Sequence, residues 1–110
     1  MIIQYVKFKS GLTDEQIRGI MDERAPRFRA LPGLIQKYYA RETQTGEFAG
    51  IYLWDSEESL RAFRESELAR TIPIAYQVVA PPRVETLEVL FPLRFAEGDL
   101  ASRSDLEATL

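Results

Sequence analysis

The 110 residues predict an α+β domain, a four-stranded antiparallel sheet with two helices covering one face. Three observations carry that expectation. Apolar residues repeat first with the period of a strand and then with that of a helix, in the order strand, helix, strand, strand, helix, strand, which is the split βαβ arrangement. The short polar run Thr43-Gln44-Thr45-Gly46 separates two strand-like segments as a hairpin loop does. The first, third and last strands carry apolar residues on both faces, whereas a sheet with helices on one side and water on the other should alternate.

The first strand is Ile-Ile-Gln-Tyr-Val-Lys-Phe over residues 2 to 8, β-branched and aromatic, ended by Ser10-Gly11. A helix follows. Thr13 can cap it, with Gln16 three residues on to complete a capping box and Leu12 and Ile17 placed for a hydrophobic staple. Ile17, Ile20, Met21, Phe28 and Leu31 give it an apolar stripe. Pro26 removes a backbone donor and predicts a kink or an early end near Ala25, and Leu31-Pro32-Gly33 stops the helix. Strands are expected over 34–42 and 47–54. Asp55 then reads as the cap of a second helix, with Glu58 closing the box and Glu57 complementing the helix dipole; Leu60, Phe63 and Leu68 form its apolar side. Residues 71–82, with Pro73 and Pro81-Pro82, predict a loop or a short extra helix. A last strand is expected from Arg83 to Phe91. The domain spans residues 1–95, and the polar tail 96–110 is either a short docked helix through Leu100 and Leu106 or loose.

Strand alternation sets Ile2, Val6 and Phe8 against Ile3 and Tyr5 in the first strand, and Phe48, Tyr52 and Trp54 against Ala49, Ile51 and Leu53 in the third. The simplest cover for the second apolar face is a copy of the same sheet, so a homodimer through the face opposite the helices is expected.

Composition excludes several functions. A formal charge of −3 with intermingled signs leaves no basic stripe for a phosphate backbone, so no nucleic-acid partner is expected. The chain has no cysteine and no histidine, which removes disulfides, thiol nucleophiles, Ser-His-Asp catalysis and metal sites built on thiolate or imidazole. No metal and no cofactor are expected. No apolar run is long enough to span a membrane and the start lacks a signal-peptide pattern, so the expected location is the cytoplasm.

With these elements placed, Leu31-Pro32-Gly33-Leu34 and the run Gly50-Ile51-Tyr52-Leu53-Trp54-Asp55-Ser56-Glu57-Glu58-Ser59-Leu60-Arg61-Ala62-Phe63 resemble the dimeric α/β-barrel superfamily of ferredoxin-like fold. Within it the chain is most similar to the YdhR-like proposed monooxygenases and the antibiotic-biosynthesis monooxygenases, over roughly residues 2 to 91. The resemblance implies sheet-to-sheet dimers, several of whose relatives oxidise polycyclic aromatic substrates with molecular oxygen and no cofactor. Related haem-degrading enzymes use a tryptophan ending the third strand, an asparagine in the first strand and a histidine after the second helix. Trp54 matches the first, Val6 stands at the second, and the histidine is missing, so haem degradation by that route is not expected.

If residues 43–46 form the hairpin loop, Ile35, Lys37, Tyr39 and Arg41 share a face with Trp54, Tyr52, Gly50 and Phe48. The resemblance places a pocket between this face and the helices. Trp54, Tyr52 and Tyr39 are the catalytic candidates, and Gln4, Lys37, Arg41, Phe28 and Met21 the ligand-binding ones, a set suited to a flat aromatic molecule bearing a phenol, ketone or carboxylate. Each has a plainer reading: Trp54 as core, the tyrosines as tied-off structural residues, Lys37 and Arg41 as guards of an edge strand. Gly50 marks either a close approach or a bulge. The expected function is cofactor-independent oxygenation of a small aromatic or polyketide-like molecule. A non-catalytic binding or structural dimer, and an isomerase or lyase working by proton transfer, are the alternatives.

Overall fold

The computed structural model describes residues 1–94. The predicted tail lies outside them. The elements run β1 (Ile2–Phe8), α1 (Asp14–Arg29), β2 (Leu34–Arg41), β3 (Phe48–Trp54), α2 (Glu57–Arg64), α3 (Glu67–Arg70), α4 (Ile72–Ala75) and β4 (Arg83–Glu88). The strands form one antiparallel sheet in the order β2-β3-β1-β4, the ferredoxin-like topology. No helix among the described residues is long and apolar enough to cross a membrane.

In the central pair Ile2 faces Trp54, Gln4 faces Tyr52 and Val6 faces Gly50, so the even-numbered residues of β1 and β3 share one face. All the helices pack there. Phe28 of α1, Leu60 and Phe63 of α2 and Leu68 of α3 close on Tyr52 and Trp54, and a second cluster joins Phe8, Ile17 and Tyr76. Each such side chain contributes roughly 1.5–3 kcal/mol on burial. Among the described residues no helix covers the opposite face, with Ile3, Tyr5, Ile51 and Leu53.

Local chemistry accounts for most boundaries. Thr13 caps α1 in a complete capping box with Gln16, and both Leu12 and Ile17 join the cluster around Phe8. Helix α1 does not stop at Ala25: it runs through Pro26 to Arg29. Pro26 and Asp22, whose carbonyl loses its partner, are both exposed, so water can take the orphaned acceptor while Phe28 is held in the core. Asp55 is not the cap of α2. Ser56 is, accepting the Ser59 amide, while the Asp55 carboxylate accepts the Ser59 and Ser56 hydroxyls at 2.6 and 2.9 Å. Glu58 consequently closes no box.

The hairpin register agrees with expectation from Gln36 to Arg41, but a bulge falls between Leu34 and Gln36. Leu34, not Ile35, therefore faces Trp54, and Ile35 is left 51% exposed. Strand β4 ends at Glu88 instead of Phe91, and all six of its residues are exposed. The second helix ends at Arg64, so Leu68 falls in a separate single-turn helix, α3, capped by Ser66, and the 71–82 stretch holds the short extra helix α4. The segment after α4 is tied to the end of β1 by the Gly11 amide to the Gln77 carbonyl, the Val79 amide to the Lys9 carbonyl, and the Ser10 hydroxyl to the Tyr76 carbonyl.

Gly33 joins the two ends of the motif around α2. Its φ is +79°, its carbonyl accepts the Asp55 amide at 2.8 Å, and a Cβ there would collide with Ser59 Oγ and Asp55 Oδ1. The left-handed conformation costs an L-residue roughly 1–2 kcal/mol before any collision is counted. Gly33→Ala should therefore lower the unfolding free energy by at least ~2 kcal/mol in a urea titration; a loss under ~0.5 kcal/mol would show that the loop yields freely.

Candidate functional site

A cavity of about 210 Å³ lies between the helix-bearing face of the sheet and α1, α2 and the α3–α4 segment. Its floor is Gln4, Val6 and Phe8 of β1, Lys37 and Tyr39 of β2, and Gly50 and Tyr52 of β3. Met21, Phe63, Ala69 and Ile72 close it from the helices, with Tyr76 beyond α4. Arg64 and Arg70 are exposed and line it as well, so they stand where it meets solvent. Five of the eight candidate residues meet here: Gln4, Met21, Lys37, Tyr39 and Tyr52. Trp54, Phe28 and Arg41 do not line it.

Trp54 is fully buried, stacked at 6.1 Å on Tyr52 and packed against Phe63, and its indole Nε1 donates to Gln4 Oε1 at 3.1 Å. An indole can only donate, so Gln4 must turn its oxygen towards Trp54. That leaves the Gln4 NH₂ for the cavity. Trp54 thus positions a cavity donor without reaching the cavity itself. Phe28 is core, 3% exposed. Arg41 pairs with Asp14 at 2.6 Å on the surface and lies over Phe48, a contact worth at most ~1 kcal/mol at such exposure.

Gly50 is needed for a close approach, but a side chain makes it. The Tyr52 ring lies across the strand so that a Cβ at Gly50 would stand 3.0 Å from Tyr52 Cε2. A bulge does not explain this glycine, since the β1–β3 and β2–β3 registers run straight through it. The Tyr52 hydroxyl has no hydrogen-bond partner among the described residues and keeps access to the cavity.

Lys37 holds the least expected position. Its Nζ sits 3.5 Å from the Phe28 ring centroid, 4.4 Å from Tyr39 and 4.6 Å from Tyr52, a cage of three aromatic faces. Among the described residues no carboxylate pairs with it. Burial, assisted by the nearby Arg24 charge, lowers its pKa from 10.5 to about 7. Burial also raises the Tyr52 phenol well above its ordinary value, pushes Tyr76 up to about 12 and raises Tyr39, with Arg24 opposing in each case. The tyrosines are therefore hydrogen-bond donors at neutral pH, and Lys37 is the group that can exchange a proton.

Arg24 and Tyr76 escaped the reading of the sequence. Arg24 is 6% exposed, and its Nη2 donates to the Leu68 carbonyl at 2.8 Å and to Thr71 Oγ1 at 3.1 Å, which pins α3 and α4 to α1; its Nε is buried without a partner. One signal was available: Ile17, Met21, Arg24 and Phe28 follow helical spacing, so Arg24 falls within the apolar stripe. Nothing comparable marked Tyr76.

The structure is that of a ferredoxin-like α+β domain with a mostly apolar cavity beneath its helices. The chain belongs to the family described as "Putative mono-oxygenase ydhR", whose model matches residues 3–90. Solved structures share the fold. A "putative antibiotic biosynthesis monooxygenase" from Caulobacter crescentus CB15 is 16% identical with a TM-score of 0.70, over 82% of this chain and 90% of that one. SnoaB, a cofactor-independent oxygenase from Streptomyces nogalater, is 13% identical with a TM-score of 0.68, over 84% and 95%. A dimeric ferredoxin-like protein of unknown function from Thermobifida fusca is 16% identical with a TM-score of 0.65, over 80% and 90%. No curated protein matches in sequence.

The lysine carries a consequence for stability. Below about pH 7 the amine is charged in both folded and unfolded chains, and folding bears the full cost of burying it. From about 7 towards 10.5 the folded state sheds the proton first, so this penalty fades as pH rises. Lys37→Met should therefore raise the melting temperature most in neutral or acidic buffer, by roughly 4–8 °C for a gain of ~1 kcal/mol, and the gain should shrink at alkaline pH. Thermal melts at about pH 6.5 and 9.5 check this; an equal difference at both would mean the amine is not desolvated.

Proposed function

We propose that the protein is an oxygenase that needs no cofactor and binds a small aromatic substrate in this cavity, with Lys37 as the general base. The observation that carries the proposal is the uncompensated Lys37 amine at the cavity wall, beside the free Tyr52 hydroxyl and the Gln4 amide. The matching family of proposed mono-oxygenases supports the reaction class. A neutral Lys37 removes a proton from the activated ring CH₂ of the keto form of a naphthol-like substrate. The anion is then held by the Lys37 ammonium and by the Gln4 and Tyr52 donors. Transfer of one electron to O₂ and recombination of the two radicals forms a C–O bond and a hydroperoxide. Loss of water leaves the ketone, so CH₂ plus O₂ gives C=O plus H₂O with no outside reductant.

Oxygen uptake on a panel of naphthols and one- and two-ring quinols is the direct test. With an accepted substrate, kcat/KM should rise with pH through about 7, where Lys37 loses its proton, and level off above. Lys37→Met should lower kcat at least ~100-fold, and Tyr52→Phe about 10-fold through a lost donor. No uptake with any compound shown to bind would end the oxygenase reading. Base-dependent deuterium exchange without uptake would point to an isomerase or lyase.

We further propose that two copies pair through the open face. Ile3, Tyr5, Ile51 and Leu53 form an apolar surface there, extended by Tyr38 and Leu87 at 59% and 53% exposure, while Ala49 is buried. The dimeric structural neighbour from Thermobifida fusca supports the pairing. Sedimentation velocity should show a dimer at micromolar concentration and a monomer for Ile51→Glu; a wild-type monomer at that concentration overturns the pairing.

A further inference from the structure

The cavity sets limits on its ligand that the reaction class does not. No aspartate or glutamate lines it, although acids outnumber bases in the chain, 17 to 14. Its charged lining residues are Lys37, Arg64 and Arg70, and the buried Arg24 lies near enough to act on Lys37 and on three tyrosines. Arg64 and Arg70 form no ion pair among the described residues. A neighbouring surface groove shares Arg64 and contains Glu57 and Glu88, yet neither carboxylate reaches it within pairing distance. Arg64 and Arg70 are thus exposed lining residues with no carboxylate partner among the described residues, while the interior is walled by Val6, Phe8, Met21, Phe63 and Ile72. Bidentate guanidinium contact is the recognition suited to a carboxylate.

Volume narrows the class further. An apolar cavity of about 150 Å³ holds a benzene ring. At about 210 Å³ this one has room for one substituted ring or a compact bicycle, and a linear tetracycle does not fit inside.

We propose that the cavity takes a one- or two-ring aromatic carboxylate, its ring in the apolar interior beside Lys37 and Tyr52 and its carboxylate at the mouth on Arg64 and Arg70. The proposal rests on the cavity being the ligand site, as in the proposed function, but it does not need the oxygen chemistry. The arginines are then determinants of specificity, and the interior donors are left for the reacting part of the ring.

Isothermal titration with 2-naphthoate and with 2-naphthamide, which has the same shape without the charge, tests it. Neither probe has an activated CH₂, so the outcome is independent of oxygen uptake: a dead oxygen assay with selective naphthoate binding fails the reaction and keeps the site. Naphthoate should bind at least about tenfold tighter than naphthamide, and added salt should weaken the acid alone. In the Arg64→Gln/Arg70→Gln double variant, whose changes are on the surface and whose folding is checked by its melting temperature, the preference should vanish while naphthamide affinity holds. Equal affinity of the two probes in the wild type overturns the proposal. So does a preference that survives in the double variant, which would put the carboxylate on Lys37, and so does failure of naphthoate to bind at millimolar concentration. Tighter binding of a tetracyclic acid than of naphthoate would overturn the size limit.

Discussion

The pairing of β1 with β3, with Gln4 opposite Tyr52 and Val6 opposite Gly50, is the constraint on which the rest of the molecule depends. Side chains alternate across a strand, so a slip of one residue would leave Gln4 beside Ile51 and Leu53 under the helices and turn Tyr52 and Trp54 to the open face. The register holds because the even face offers what the helices need: large aromatic surface for Phe28, Leu60 and Phe63, and one indole donor matched to one amide acceptor. The same pairing sets the cavity. Tyr52 can fold across the strand only because position 50 has no side chain, and the space this leaves beside Val6 and Phe8 remains open to ligand.

Two cations share this interior and are handled differently. Arg24 is built into the structure, its guanidinium spent on the Leu68 carbonyl and the Thr71 hydroxyl, so that helices of a single turn are held at the cavity's edge. Lys37 receives no such partner. Its charge is met only by aromatic faces, and the penalty appears as an amine that gives up its proton near neutral pH. Such a cost to stability is the kind met where function and stability are traded against each other, and it accords with the role proposed for Lys37.

Much of this was legible in local chemistry. The capping box at Thr13, the hairpin at residues 43–46, the order of elements and the two apolar faces all follow from contacts within a few residues or from strict alternation. What local chemistry missed was decided at a distance. Phe28, held by Tyr52 and Phe63, carries α1 past Pro26. Asp55 looked like a helix cap, but Gly33, brought alongside from across the sheet's end, draws the Asp55 amide into another bond, and the cap passes to Ser56. The bulge before Gln36 moved Ile35 off the core face for a reason no run of residues announces.

For the site the division is equally physical. The sequence by itself determined which chemistry was available, because a chain without histidine or cysteine leaves proton transfer to lysine, tyrosine and carboxylates, and it determined which strand residues share a face, because alternation is a property of the backbone. Only the tertiary structure decided what each of those residues became. Trp54 went into the core as the support for Gln4, Arg41 went to a surface ion pair, Arg24 left its helix stripe to hold Leu68 and Thr71, and Tyr76 came to the cavity from a turn. A proton affinity depends on what surrounds a group in space, and the neighbours that desolvate Lys37 come from three separate elements that meet only once the sheet and helices have closed.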